Sequence, residues 1–141
     1  MSIVDTPAYY VWAGYAFENI CYKHIAQIRK ALDVPLSALA SPWRYSPLKS
    51  SKENGAQIDL LFSRSDHSTT LCEIKYTDKP FIIDKQYAEN LKNKTCTFVK
   101  VTKTNNQIFM AMISANGVKK NKYSDEILSQ VVTLEDLFKE A

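Results

Sequence analysis

Two neighbouring stretches set the fold of this chain: Gly55-Ala56-Gln57-Ile58-Asp59-Leu60-Leu61 and Leu71-Cys72-Glu73-Ile74-Lys75-Tyr76. Residues 56–62 carry the apolar run of a buried strand, and residues 69–76 carry a second. Between them, residues 64–68 include Asp66 and have the composition of a turn, so the two strands are expected to form an antiparallel hairpin. Side chains alternate along a strand. Glu73 and Lys75 therefore share one face, and Cys72, Ile74 and Tyr76 share the other. Asp59 precedes Glu73 by 14 positions, and a hairpin turning near Asp66 sets the two side by side. The expectation is a pair of carboxylates and an ammonium projecting from adjacent strands into one small region.

Such a cluster adds little to stability, because neighbouring carboxylates repel and are costly to bury. A divalent cation resolves the repulsion. Magnesium takes hard oxygen ligands, typically one or two carboxylates with water and substrate phosphate. It lowers the pKa of bound water and stabilises charge on a phosphoryl oxygen. Beside it, Lys75 can orient or help deprotonate the attacking water and stabilise developing negative charge. These are the parts of phosphodiester hydrolysis. Gln57 shares the Asp59 face by alternation and is a candidate for contact with substrate or a metal-bound water. The competing account of Glu73-Ile74-Lys75 is the solvent face of a half-exposed sheet. Asp59 on the adjacent apolar strand is what sets this segment apart.

Upstream, Thr6 and Pro7 mark a helix start. Phe17, Cys21, Ile25, Ile28 and Leu32 recur at helical spacing, which predicts one long helix over about residues 7–32, stopped by Pro35. Tyr9, Tyr10, Trp12, Tyr15 and Phe17 thicken its first half. Core packing is the expected use of these rings, with a base-stacking platform as the alternative. Residues 33–55, punctuated by Pro35, Pro42, Pro47 and Gly55, form a long loop with a short strand near residues 43–45. Downstream of Pro80, Asp84 caps a helix over about residues 84–93, with Tyr87, Ala88 and Leu91 turned inward. Residues 95–101 and 107–113 follow as strands joined by the polar turn Lys103-Thr104-Asn105-Asn106. Asn116-Gly117 ends that unit. Ser124 starts a helix through about Gln130, and Thr133 with Asp136 forms a capping box for a short terminal helix. The order predicts an α/β fold with a mixed sheet, in which the second helix crosses over to a parallel strand.

A length of 141 residues fits a single domain, residues 1–141, and 45% apolar with 23% charged residues is an ordinary globular balance. The net charge of +3 is too mild to advertise nucleic-acid binding by itself. The charge is uneven, however: residues 85–122 hold Lys85, Lys92, Lys94, Lys100, Lys103, Lys119, Lys120 and Lys122 against Glu89 alone. That surface either meets phosphates or is a solvated face. Cys21, Cys72 and Cys96 show no CxxC spacing and are expected to be small buried hydrophobes in a reducing compartment. His24 and His67 lack partners at zinc-ligand spacing. No signal peptide or apolar run of membrane-spanning length is recognisable, so a cytoplasmic location without membrane contact is expected.

Asp59 followed by Glu73-Ile74-Lys75, with Glu18 on the first helix, resembles the PD-(D/E)XK nuclease superfamily. Five ordered blocks, residues 14–21, 55–59, 72–76, 80–83 and 136–138, resemble in particular the nuclease-like C-terminal domain of prokaryotic AAA-type ATPases. The resemblance runs from about Tyr10 to Phe138. It implies a restriction-endonuclease-like α/β/α core, αβββαβ, with a central mixed sheet. It implies magnesium, with manganese as a substitute, held by Asp59, Glu73 and the main-chain carbonyl of Ile74. It further implies that Lys75 assists the nucleophilic water and that Glu18 adds a direct or water-mediated contact. Tyr87 would approach DNA with Lys85 beside it, although Gln86 and Tyr87 are adjacent here, which departs from the spacing of relatives. The implied activity is a magnesium-dependent DNA endonuclease, or the nuclease domain of a larger ATPase-linked protein. The ATPase module would lie in the same or a partner chain, because no GxxxxGK(S/T) loop occurs here. A homodimer would suit double-strand cleavage. The alternative is a catalytically inactive module of the same fold that binds nucleic acid or docks a protein.

Overall fold

Thr6 opens the first helix as its composition predicts: the side-chain oxygen accepts the Tyr9 N–H at 3.2 Å, and Pro7 occupies the first turn. The structure, a computed structural model, describes residues 6–52 and 54–140. Its elements are α1 (Pro7–Lys23), α2 (Ile25–Ala31), β1 (Leu39–Tyr45), β2 (Ala56–Ser63), β3 (Ser68–Lys75), α3 (Lys85–Thr102), β4 (Gln107–Ser114), α4 (Lys122–Ile127), β5 (Leu128–Val132) and α5 (Leu134–Leu137). The expected single helix over residues 7–32 is therefore two. His24 leaves helical geometry at φ −123° and ψ 34°, and its Nδ1 lies 2.8 Å from the Ile20 carbonyl oxygen.

One five-stranded mixed sheet runs in the order β1-β2-β3-β4-β5. The β1–β2 and β2–β3 pairs are antiparallel, and the β3–β4 and β4–β5 pairs are parallel. The β2–β3 hairpin and the α3 crossover to a parallel strand thus match the sequence pattern. β1 is longer than the short strand expected there. Pro42 lies inside it, which an edge strand tolerates because no second neighbour needs its missing N–H. At Gly55, where the chain enters β2, an added Cβ would stand 2.8 Å from the Tyr45 carbonyl oxygen, so only glycine allows this close approach.

Residues 95–101 do not form a strand. They are the second half of α3, whose buried residues Ala88, Leu91 and Phe98 keep helical spacing. The threonines that suggested a strand bond back along the helix: Thr95 Oγ1 donates to the Leu91 carbonyl at 3.1 Å and Thr102 Oγ1 to the Phe98 carbonyl at 2.7 Å. The polar turn after it joins α3 to β4, with Lys103 as a left-handed C-cap at φ 55°. Asn121, rather than Ser124, caps α4, and Ser124 closes the capping box. The chain then enters β5, which replaces the expected helical run to Gln130. The Thr133–Asp136 capping box is present as predicted.

Helices cover both faces of the sheet. Phe17, Cys21, Ile28 and Leu32 pack with Leu60, Phe62, Cys72, Ile113 and Val132 on one side. Leu91 and Phe98 pack with Ile58, Leu61, Leu71 and Met110 on the other. Cys21 and Cys72 are buried, whereas Cys96 is exposed on α3, contrary to its expected burial. The aromatic cluster of α1 is also corrected. Phe17 alone among its five rings is buried, while Tyr10, Trp12 and Tyr15 are 39%, 65% and 67% exposed. The buried stripe Ala13, Phe17, Cys21 is narrow and leaves those rings on its flanks. Among the described residues, no helix is long and apolar enough to cross a membrane.

Candidate functional site

The β2–β3 ladder runs from Ser63↔Thr69 to Leu60↔Cys72 and stops there. Continued by one step, it would set Asp59 opposite Glu73. A bulge ends it. Between the pairs Leu61↔Ser41 and Ile58↔Trp43, β2 advances three residues while β1 advances two, so Pro42 opposes both Asp59 and Leu60. Ile58 and Leu61 accordingly enter the same apolar cluster although they are three apart. The sheet splits at this point, and the Ile74 N–H turns to the Asp59 carboxylate, 2.9 Å from Oδ2.

Glu73 lies on the α3 side of the split, 3% exposed. Burial pushes its carboxyl up to about 8, and the Asp59 carboxylate within hydrogen-bonding reach adds to the shift. Lys94 of α3 opposes it: its Nζ stands 2.6 Å from Glu73 Oε1. The negative field spreads beyond the pair. Burial, then Glu18 and Asp59, raise the Cys21 thiol to about 12. Burial, then Glu73 and Asp59, push the Tyr87 hydroxyl up as well. Cys72 is raised by burial, Glu73, Cys21 and Asp59.

Glu18 belongs to an outer ring. Tyr22 connects it to the centre, its hydroxyl lying 3.1 Å from Glu18 Oε1 and 2.7 Å from the Asp59 carbonyl oxygen. Lys75 is exposed, and its Nζ rests over the Phe81 ring, 5.6 Å from the centroid. Among the described residues it forms no ion pair with Asp59 or Glu73; the lysine paired with Glu73 is Lys94. Tyr87 sits by the carboxylates and packs edge-on against Phe81 with centroids 4.8 Å apart. Lys85 is exposed at the start of α3. Gln57 is exposed opposite Arg44 and lines a groove with Ser46 and Pro47. The main-chain contact at Ile74 is through its N–H.

Asp59, Glu73, Tyr87 and Lys94 are thus brought together, with Glu18 one hydrogen bond removed. Sequence reasoning missed Lys94 and Tyr22. Among the described residues, no group of three or more His, Cys, Asp or Glu side chains is placed to hold a metal. Two carboxylates remain within the range magnesium accepts when water and phosphate complete its shell. The donor chemistry fits: the half-buried Asp59 and the buried Glu73 carboxyls stand within hydrogen-bonding reach, with a lysine ammonium already bonded to a Glu73 oxygen. This is a mixed α/β protein with a carboxylate pair at a split in its sheet. No model of a known family, no curated protein and no solved structure matches the chain.

Proposed function

We propose that the protein is a magnesium-dependent nuclease that hydrolyses phosphodiester bonds in DNA, built on a restriction-endonuclease-like αβββαβ core. The observation that carries this reading is the Asp59–Glu73 pair, held in hydrogen-bonding reach with Glu73 buried and Lys94 on it. The order α1/α2, β1, β2, β3, α3, β4 supports the core. Asp59, Glu73 and the Ile74 carbonyl would hold the cation. Magnesium, or manganese in its place, supplies an acidified water and charge stabilisation at phosphorus. Asp59 keeps its carboxylate oriented through the Ile74 N–H. Lys75 swings from Phe81 on its flexible stem and orients the attacking water. Lys94, once released from Glu73, meets a non-bridging phosphate oxygen. Tyr87 and Lys85 approach the strand from the start of α3, and Glu18 positions Tyr22 behind Asp59.

The Lys94–Glu73 pair also favours a second reading, a catalytically silent nucleic-acid-binding module in which the ammonium permanently takes the place of the cation. A cleavage assay separates the two. Supercoiled plasmid and single-stranded DNA are incubated with the protein in magnesium, manganese or chelator. Metal-dependent cutting is expected, reduced about 100-fold or more in Asp59→Asn and Glu73→Gln, as for removal of a group that stabilises transition-state charge. Absence of cutting, or equal cutting by the variants, overturns the nuclease reading and leaves the silent module.

A further inference from the structure

Neither the fold nor the hydrolytic centre explains the exposed flank of α1. Ala13, Phe17 and Cys21 are its buried side. At about 100° per residue, Val11, Gly14, Tyr15, Glu18 and Tyr22 form a second stripe turned away from the core. Val11 is 60% exposed and Tyr15 67%. Of this stripe, Val11, Gly14, Tyr15 and Glu18, with Tyr10 and Tyr76, wall an open cavity of about 380 Å³ whose lining also includes Ile74 and Lys75. The rings at one end are held in place: Tyr10 donates to Asp78 Oδ2 at 2.6 Å and Tyr76 to Asp78 Oδ1 at 3.4 Å.

Gly14 sits in the middle of that wall. Glycine inside a helix is destabilising relative to alanine, so it calls for a reason. Packing gives none, because a Cβ added at Gly14 would meet nothing within 4 Å beyond its own turn of helix. The missing side chain leaves a notch in a wall of phenol rings, beside the lysine and main chain of the candidate centre.

We propose that this wall is a stacking site for the unpaired bases of a single-stranded nucleic acid, with the Gly14 notch admitting a base. The proposal rests on the hydrolytic reading for what the strand meets at the Ile74–Lys75 end. Aromatic side chains bind bases through their π-faces, which an unpaired strand exposes and a duplex keeps stacked inside. The cavity is open and its wall is formed largely by tyrosine rings, which suits a planar base. Tyr10 and Tyr76, held through Asp78, lose little freedom on binding.

The test is fluorescence anisotropy with labelled oligo(dT) and a duplex of equal length, in chelator so that nothing is cut. The full chain is compared with Tyr15→Ala and Gly14→Leu, and with Gly14→Ala as a folding control. The wild type is expected to prefer the single strand. Tyr15→Ala and Gly14→Leu are expected to lose about tenfold in single-strand affinity, in line with the loss of one stacked base. Gly14→Ala is expected to melt at a higher temperature than the wild type. Equal affinity for both oligonucleotides, or unchanged single-strand binding by both variants, overturns the proposal. So does a concentration-dependent dimer in sedimentation that Gly14→Leu dissolves, since the wall would then hold a second copy of the chain. A protein that binds in this way yet never cuts keeps the stacking site and loses the nuclease. One that cuts while Tyr15→Ala leaves binding intact does the reverse.

Discussion

Glu73 is a carboxyl that folding makes hard to ionise. Its ordinary value of 4.5 rises to about 8 through burial and the nearby Asp59. Below pH 4.5 the folded and unfolded chains both hold the proton, and no penalty applies. As pH rises toward 8, the unfolded chain gives up the proton while the folded chain keeps it. Stability therefore falls across that window and levels off above it. At about 1.4 kcal/mol per unit, the loss is several kcal/mol. In chelator, the urea midpoint of the wild type is expected to drop between pH 5 and 8 relative to that of Glu73→Gln, and the variant is expected to be the more stable at pH 8. Parallel curves for the two proteins would contradict a strained carboxyl. The Asp59–Glu73 juxtaposition was legible in the sequence because strand alternation and a short hairpin are local rules. Lys94 was not. Reading residues 95–101 as a strand hid the helical spacing of Tyr87, Leu91, Lys94 and Phe98. Tyr22 left no trace either, because one of its contacts is with a main-chain oxygen and the other with a glutamate already assigned.

α3 positions Tyr87 and Lys94 against the sheet, so its N-terminus matters to the site as well as to the fold. Asp84 accepts the Tyr87 N–H at 2.8 Å, within the same turn that carries the Tyr87 ring to the carboxylates. Asp84→Ala is expected to destabilise the protein by about 1 kcal/mol, the usual effect of losing a helix cap. Asp84→Asn keeps a capping oxygen and is expected to stay near the wild type. Urea midpoints of the three proteins check this, and an Asn variant as weak as the Ala variant would mean that charge rather than the cap carries the effect. Most caps were legible because they involve residues three apart: Thr6, Asp84 and the Thr133–Asp136 pair were found from sequence, whereas Asn121 was passed over for Ser124. What escaped depends on distant packing. β5 gains its strand conformation by pairing with β4, and Val132 is buried in the core of the α1 side. β1 was read short because Pro42 breaks the local pattern, although an edge position opposite a bulge tolerates it.

At the scale of the molecule, the centre lies where α1, β2, β3 and α3 meet, between two apolar cores on opposite faces of the sheet. The seam holds acidic groups, while the net charge of the chain is +3, so the attraction for a cation is local rather than global. A cation held by Asp59, Glu73 and the Ile74 carbonyl would tie β2 to β3 and oppose unfolding. At a tenfold excess over the dissociation constant, linkage gives about 1.4 kcal/mol, a rise in melting temperature on the order of 5 °C. Magnesium at constant ionic strength is expected to produce this shift in the wild type and not in Glu73→Gln. Matching the salt matters, because the exposed lysines respond to screening alone. Lys94 sharpens the experiment, since its ammonium already holds the oxygen that the cation needs. If the two compete, Lys94→Met gives the seam to the cation, and its melting temperature rises more with magnesium than that of the wild type. If the magnesium response disappears in Lys94→Met, the ammonium is part of the scaffold that keeps Glu73 in place, and cation and lysine must occupy the seam together. If neither protein responds, the ion pair is the finished structure of the seam and the silent module is the better account of it.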